Sequence, residues 1–368
     1  MSHALLRVGQ ATSRLGNWLL RLPMWQFVAI VGLLAATKST FLWRGSFFYQ
    51  ESAAFPDPVT HFSTNFVAIG IHRAAGAYVS PIFLASSLLA LAAAVTALIW
   101  FLWRANPSPE ARRTAIVLAF AWPAVLVVLP WIGNGTAFLP LFMVLALVAK
   151  RVWIWVPALL LAVASHPEHA FVGLTLLSVL SLRPEFITWR NRALVGFLIA
   201  GPAVLATSLW LASAGVSGRG NEFTSGVGFA LPFAFRNGIL GAYTWWGMWW
   251  LIVFVVLVLV STRTRWVLLL VAVALPAVMT AFTADYTRVF VGVTIPVGIA
   301  MIFYLLARED HRQEPHSSNG PPPGFALGFW FIAFVLLPNL IFMMPGDGVP
   351  TPGFYWVGLF ENYVSPRI

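Results

Sequence analysis

Long apolar runs separated by short polar segments make up most of this chain. Most runs approach the roughly 20 residues that a helix needs to cross a hydrocarbon core of about 30 Å. The pattern predicts an all-α, polytopic membrane bundle with about eleven transmembrane helices. The predicted spans are 24–43, 81–103, 114–132, 136–149, 152–165, 170–182, 193–213, 246–262, 266–282, 289–307 and 325–344. The fourth, fifth and sixth of these are short for an average bilayer unless they are tilted or shielded by neighbouring helices.

The polar segments divide a single membrane domain, residues 1–368, into inner and outer parts. Arg7, Arg14 and Arg21 recur every seven residues beside leucines and Trp18, which predicts a basic amphipathic helix on the cytoplasmic leaflet. The first outer loop is predicted to contain a helix that lies on the membrane surface. The segments are a cytoplasmic amphipathic helix at 1–22, an outer loop at 44–80, a second outer loop at 214–245, a Pro/Gly/Ser-rich cytoplasmic linker at 308–324 and an outer tail at 345–368.

Charge determines the predicted orientation. Only 9% of the residues are charged, 60% are hydrophobic, and the net charge is +10. In a soluble domain this basicity would indicate a nucleic-acid partner, but most of the arginines fall in short loops that an N-in, C-out topology places in the cytoplasm. We therefore expect a lipid bilayer, and no nucleic acid, around this protein. The excess of arginine over lysine is typical of a GC-rich genome and favours a bacterial plasma (inner) membrane.

Tryptophan and cysteine content add two expectations. The 18 tryptophans, such as Trp245, Trp246, Trp249 and Trp250, are predicted to lie mostly in belts at the membrane–water interface. The absence of cysteine excludes a disulfide framework and a thiolate metal site.

The stretch "FPDPVTHFSTNF" is a polar island between two apolar runs. Asp57 directly before a proline predicts the start of a helix at about 58–75, with the carboxylate accepting from free backbone N–H groups. His61, Asn65 and His72 then share one face of that helix, while Phe66 and Ile69 lie on the adjacent, membrane-facing side. Because a helix start also presents donors to an anion, Asp57 and His61 are candidates for catalysis as well as for capping.

The stretch "SHPEHAF" places Glu168 between His166 and His169 at the outer end of a short span. Two histidines three residues apart can bind metal, but no third and fourth ligand follows at a recognised spacing. No metal or other cofactor is therefore predicted. The alternatives are a polar cap on a re-entrant hairpin and a substrate-binding part of an outer cavity wall.

The stretch "TADYTRVF" places Asp285 and Arg288 three residues apart where the tenth span begins. The plain interpretation is an ion pair at the membrane interface. The alternative is that Arg288 binds a lipid phosphate, because a guanidinium group matches phosphate oxygens with two hydrogen bonds and stays charged. Arg236 and Arg73, which also face outward in this topology, can join it.

The order of these features resembles the C-type (GT-C) integral membrane glycosyltransferases: an N-in first span, a long outer loop with an early aspartate and a surface helix, then many spans and a later outer arginine. This resemblance implies a polyprenyl-phosphate sugar as donor and an outward-facing site. It also implies Asp57 as the general base and Arg288 as a donor-phosphate ligand. The sequence departs from the metal-dependent branch, because Asp57 is followed by Pro58 rather than a second acid. No large soluble C-terminal domain follows, which favours a small or lipid-borne glycan acceptor.

We therefore predict a glycosyltransferase that moves a sugar to an acceptor hydroxyl at the outer face, with Asp57 and His61 supplying the base. Arg288, Arg236 and the other polar residues named above bind substrate. Two alternatives stay open. A transporter would need ionisable residues near mid-membrane, and Lys38 is the nearest case, although it can snorkel to the outer surface. A noncatalytic subunit would contact a protein partner through its aromatic tail, "PTPGFYWVGLFENYV".

Overall fold

The computed structural model describes most of the apolar runs and several of the turns between them. The described residues are 2–38, 64–75, 79–106, 108–127, 135–182, 186–216, 241–281, 286–312, 322–337, 339–341 and 351–352. They are almost entirely helical. The exception is an antiparallel pairing of β1 (Leu340–Ile341) with β2 (Thr351–Pro352), in which Leu340 lies opposite Pro352.

A helix occurs within each of the eleven predicted spans, and further helices occupy the N-terminal segment and the first outer loop. The helices are α1 (Ser2–Arg21), α2 (Met24–Lys38), α3 (Phe66–Ala75), α4 (Val79–Ala105), α5 (Pro109–Phe120), α6 (Pro123–Leu126), α7 (Leu139–Val148), α8 (Val152–Ser165), α9 (Pro167–Val179), α10 (Ile187–Ser213), α11 (Trp250–Leu259), α12 (Thr262–Leu269), α13 (Leu275–Ala281), α14 (Tyr286–Arg312) and α15 (Phe325–Leu336). Short 3₁₀ turns lie at Gly135–Ala137 and Gly247–Trp249, and one π-helical turn, Leu270–Ala274, joins α12 to α13.

Five helices in the described part of the chain are long and apolar enough to cross a membrane: Ala85–Ala105, Ile187–Ser213, Gly241–Leu259, Thr262–Thr280 and Thr287–Ala307. Two of them, Ile187–Ser213 and Thr262–Thr280, are only 22% buried within the protein. Their outward sides carry exposed apolar side chains, among them Leu198, Leu205 and Val278. An apolar surface of this extent is not expected in contact with water. The chain is therefore a helical protein embedded in a membrane.

Helix α14 is the central element of the bundle, since 89% of its apolar stretch is buried. It packs against α5, α7, α9, α11 and α13. The short helices α7, α8 and α9 have 10, 14 and 13 residues, or about 15–21 Å at 1.5 Å per residue. Because α7 and α9 both pack directly against α14, they are shielded by neighbouring helices, as their length requires.

Arginines close the carboxyl ends of several helices at what we call the inner end, the end formed by the segments predicted to be cytoplasmic. The last carbonyls of a helix have no partner within it, and its negative dipole end attracts cations. At the end of α1, Arg113 donates to the carbonyls of Leu19 and Leu22, the second at 2.6 Å, and after α4 Arg112 donates to Asn106 at 2.9 Å. At the end of α7, Arg192 donates to the carbonyls of Leu147 and Ala149 at 2.7 and 2.6 Å. Near the end of α11, Arg265 donates to the carbonyl of Leu257 at 2.7 Å. The arginines that predict orientation thus also terminate the helices.

The N-terminal helix α1 exists as predicted, but one of its faces packs against protein. Leu19 is fully buried, and the backbone of Gly16 lies against the backbone of Gly324 and Gly328 at the start of α15. Gly324 adopts φ +80°, which only glycine takes without strain. The carboxylate of Glu110, on α5, accepts from the backbone N–H groups of Gly324 and Leu327 at 3.0 and 3.2 Å, and so caps α15 from a neighbouring helix.

The prediction of an interfacial belt was wrong for the tryptophans of "WWGMWW". Trp245, Trp246 and Trp249 are 8%, 2% and 0% exposed and belong to the core. The indole N–H of Trp246 donates to the carbonyl of Ala272 at 2.9 Å. In an α-helix that carbonyl would accept from residue 276, which is Pro276 and has no N–H. Tryptophan is therefore needed inside the bundle as a donor to a backbone group that proline leaves without a helical partner.

A second tryptophan has the same role at the break between α5 and α6. The backbone N–H of Trp122 donates to Ala119 instead of Leu118, because the helix is interrupted before Pro123. The indole N–H of Trp249 donates to the carbonyl of Leu118 at 3.2 Å. The Trp249 ring stacks on both of the other rings, with its centroid 6.2 Å from that of Trp122 and 6.4 Å from that of Trp246.

Candidate functional site

Only part of the predicted site falls within the described residues. The side chains of His166, Glu168, His169 and Arg288 are described. His72 lies in α3, but its side chain is outside the described set. The remaining predicted site residues, Asp57, His61, Arg236 and Asp285, lie outside the described residues.

His166 forms the junction between α8 and α9 and caps the second helix. α8 ends at Ser165, and Pro167 occupies the first position of α9, where its missing N–H costs nothing. The backbone N–H of His169 donates to Nδ1 of His166 at 3.5 Å, and the two imidazole rings stack with centroids 3.5 Å apart. Both rings are almost fully buried, at 3% and 5% exposure. This is the polar cap that the sequence offered as one alternative.

Glu168 adds a proton-dependent contact to this junction. Its Oε2 atom lies 3.2 Å from Nδ1 of His166, and its side chain is 28% exposed. An unprotonated Nδ1 accepts from the His169 N–H, whereas a protonated Nδ1 donates to the Glu168 carboxylate. An imidazole and a carboxylate are therefore in direct contact at this junction.

The His169 ring also joins α9 to the central helix. It lies against Gly292 of α14, and a Cβ atom at that position would be 2.8 Å from Cε1 of the ring. Arg288 precedes Gly292 by one helical turn and lies on the same face of α14. The side chain of Arg288 is half-buried, with its Nε and Nη1 atoms enclosed by protein. The structure thus brings two of the sequence-predicted stretches, around His169 and Arg288, to one place.

A third helical stretch packs against another face of α14. The hydroxyl groups of Thr244 and Thr287 are 2.8 Å apart and buried. Trp245 stacks on Phe290 with ring centroids 4.6 Å apart. The helical stretch that contains Thr244 and Trp245 is therefore fixed beside α14. Sequence reasoning missed the two threonines, because a threonine inside an apolar run carries no signal of its own.

Helix α3, at the end of the first outer loop, packs against α4 and α8. Phe66 is 48% exposed, as expected for a membrane-facing side chain. Ile69 was predicted on the same side, and this was wrong: it is only 6% exposed and turns toward the bundle with Ala68. The reason is that α3 rests on the bundle, so part of its apolar surface packs against protein rather than lipid.

A separate cleft lies around Lys38, for which the sequence left open a position near mid-membrane or one that snorkels to the outer surface. Lys38 is 2% exposed, and its ammonium donates to the carbonyl of Leu337, at the end of α15, at 2.6 Å. Asn339 donates to the carbonyls of Lys38 and Leu126, at 3.3 and 3.5 Å. One cation and one amide thus close the ends of α2, α6 and α15. Trp246 and Gly247 line the same cleft. Asn339 gave no recognisable sequence signal.

No group of three or more His, Asp or Glu side chains within the described ranges is arranged to hold a metal ion. No family model, no curated protein and no solved structure matches the chain.

Proposed function

We propose that this protein is a membrane glycosyltransferase that moves a sugar from a polyprenyl-phosphate donor to an acceptor hydroxyl at the outer face of a bacterial plasma membrane. The proposed topology has eleven spans with the N-terminus inside and the C-terminus outside. The uneven distribution of arginine between the two sides supports this orientation, and the arginines that close α4, α7 and α11 belong to the more basic side.

The observation that carries the proposal is the contact between the His169 ring of α9 and Gly292 of α14. The His169 ring against Gly292 places an imidazole–carboxylate junction within one helical turn of the Arg288 position. A sugar that leaves a lipid phosphate needs positive charge to stabilise the departing phosphate, and a guanidinium group supplies it in a fixed geometry.

The remaining roles are assigned from residue chemistry and from the resemblance. Asp57, with His61 beside it in sequence, takes the proton of the acceptor hydroxyl. Arg236 assists Arg288 in binding the donor phosphate, and Asp285 and His72 bind substrate. Such a site suits a small or lipid-borne glycan acceptor, since the polyprenyl tail of the donor stays in the bilayer.

The test is sugar transfer by purified protein in liposomes, with radiolabelled polyprenyl-phosphate sugars as donors and a membrane lipid extract as acceptor. We expect Asp57→Asn to reduce transfer by about 10²–10⁴-fold, the usual contribution of a general base, while donor binding persists. We expect Arg288→Gln to weaken donor binding as well as transfer. Arg263→Gln is the control, because Arg263 is exposed on α12 at the opposite end of the bundle and should leave both unchanged. Full turnover by the Asp57→Asn variant would remove Asp57 from the mechanism.

A transporter is the second candidate, and the Lys38 cleft is the observation that favours it. A buried cation beside an interrupted helix and a 3₁₀ turn matches the broken helices of many transporters. The carbonyls of Leu118 and Ala272 at these irregularities are already occupied by indole donors, which leaves fewer backbone ligands for a substrate. Two results together would decide for the transporter. The unmodified protein would show uptake or lipid flipping but no sugar transfer, and Lys38→Met would abolish that uptake or flipping.

A further inference from the structure

The exposed tryptophans of the described chain lie at the inner end of the bundle. They sit near the end of α1, the start of α2, the end of α4, the start of α8 and the start of α12. These are Trp18, Trp25, Trp100, Trp153 and Trp266, with 51–71% of each side chain exposed. Exposed indoles in a membrane protein mark the level of the lipid headgroups. The inner end therefore lies at a headgroup layer.

Exposed arginines share this layer with the tryptophans. Arg104 lies over the Trp100 ring at 4.4 Å, and Arg151 lies over the Trp153 ring at 5.6 Å. Both arginines are exposed, so their guanidinium groups are held against an indole and still open to ligands. An indole beside a guanidinium suits a phospholipid, which presents a phosphate next to apolar chain.

Helix α1 contributes a row of three more arginines at this end. Seven residues cover 700°, only 20° short of two full turns, so Arg7, Arg14 and Arg21 form one stripe with about 10 Å between neighbours. All three are exposed, and α1 contains no acidic residue. The opposite side of the helix is held by the Gly16 contact with α15, so the stripe faces away from the bundle.

The position of α1 along the membrane normal is also constrained. Only two residues separate Arg21 from the start of α2. The Arg113 guanidinium, which donates to carbonyls at the end of α1, also lies 5.0 Å from the Phe27 ring of α2. α1 therefore cannot move far from the headgroup layer at which α2 enters the bilayer.

We propose that this stripe, together with Arg104 and Arg151, binds the phosphate groups of anionic phospholipids in the inner leaflet. The occupant is a leaflet rather than a soluble anion, because the exposed tryptophans place the same surface at the lipid interface. The proposal rests on this surface alone and not on sugar transfer, so either can fail without the other. One arginine close to an anionic leaflet contributes at most about fivefold in binding, and the effect is weakened by salt.

The test uses the full chain in phosphatidylcholine bilayers that contain trace spin-labelled phosphatidylglycerol or phosphatidylcholine. The measured quantity is the preference of the protein for the anionic label among motionally restricted lipids. We expect a several-fold preference that falls at 0.5 M salt and is largely lost in Arg7→Gln/Arg14→Gln/Arg21→Gln. The matching triple lysine variant should keep most of the preference, because a charged leaflet responds to charge. Gln10→Ala, at an exposed and uncharged position on the same helix, should keep all of it.

Two results would overturn the proposal. One is an unchanged preference in the triple glutamine variant, provided that its thermal midpoint in phosphatidylcholine equals that of the unmodified protein. The other is displacement of the anionic lipid by millimolar soluble glycerol phosphate, which would indicate a site for a free anion. If the triple variant unfolds, Arg14→Gln alone decides. It should lower the preference by about a third on a logarithmic scale, the share of one of the three stripe arginines, and an unchanged preference would overturn the proposal.

Discussion

The bond between the Trp246 indole and the Ala272 carbonyl can be tested by removing its donor and, separately, the proline that makes it necessary. Trp246→Phe keeps an aromatic ring but deletes the N–H group. Pro276→Ala supplies a backbone N–H at the position from which an α-helix would serve Ala272. If the indole is needed because Pro276 lacks an N–H, the cost of Trp246→Phe should depend on the residue at position 276.

The magnitude follows from the environment of the bond. The Trp246 N–H to Ala272 O distance is 2.9 Å, and Trp246 is 2% exposed. A buried carbonyl without a donor costs about 1–3 kcal/mol, and side-chain hydrogen bonds measured in membranes average about 0.6 kcal/mol with a maximum near 1.7 kcal/mol. The smaller ring also leaves space beside Trp249 and Phe290, at a further cost on the order of 1–2 kcal/mol. We therefore expect Trp246→Phe to destabilise the protein by about 2–3 kcal/mol.

The assay is equilibrium unfolding in lipid bicelles of the four proteins of this double-mutant cycle. The cavity contribution is common to both backgrounds and cancels. The hydrogen-bond contribution does not, so Trp246→Phe should cost about 1 kcal/mol less when residue 276 is alanine. Trp249→Phe is the matched control, because Trp249 donates to Leu118 on a different helix and its cost should be the same in both backgrounds.

Equal costs of Trp246→Phe in the two backgrounds would refute the reasoning. The indole would then serve packing alone, and the carbonyl of Ala272 would find another partner without it. A coupling of similar size for Trp249 would refute it in another way, by showing that Pro276→Ala perturbs the whole tryptophan cluster.

Three further predictions concern helix contacts, each measured as a change in unfolding free energy in bicelles. Gly173→Ala should destabilise the protein by about 1–3 kcal/mol, because the new Cβ would lie 2.8 Å from the carbonyl oxygen of Val293. Gly70 has open space around it, so Gly70→Ala should be neutral or stabilising. Equal effects of the two substitutions would contradict the packing argument. Glu110→Gln should lower the unfolding free energy by about 1 kcal/mol and Glu110→Ala by about 2–3 kcal/mol, because glutamine keeps one acceptor for the two N–H groups of α15. An unchanged unfolding free energy in Glu110→Ala would show that the cap does not stabilise the protein. Arg192→Ala should cost about 2 kcal/mol or more by uncapping α7, and an intact thermal midpoint in that variant would argue against the caps as a source of stability.

The contacts of Arg192 and Trp246 depend on more than local sequence. Arg192 was placed at the inner end from loop charge alone, which is a local property of the chain. Its contact with the end of α7 depends on how α10 packs beside α7, more than forty residues earlier in the chain. Trp246 was misassigned for the same reason, since the carbonyl that it serves belongs to a different helix.

The candidate site divides in the same way. The spacing of His166 and His169 around Glu168 offered a polar cap as one of two alternatives, because an N-cap and its third residue are neighbours along the chain. The meeting of His169 with α14 at Gly292 was not predictable, because it requires two glycine-lined helices to approach closely. Arg288 was selected for its charge, and its place beside α9 comes from that approach.

The sequence by itself determined that the chain is helical and lies in a membrane, because the length and apolarity of each run fix both without reference to other runs. It also determined which ends carry arginine. Only the tertiary structure decided which helix is central, which tryptophans are buried, and which carbonyl each donor meets. The physical reason is that transfer into lipid is summed residue by residue along one segment, whereas packing and hydrogen bonding depend on groups brought together from distant segments.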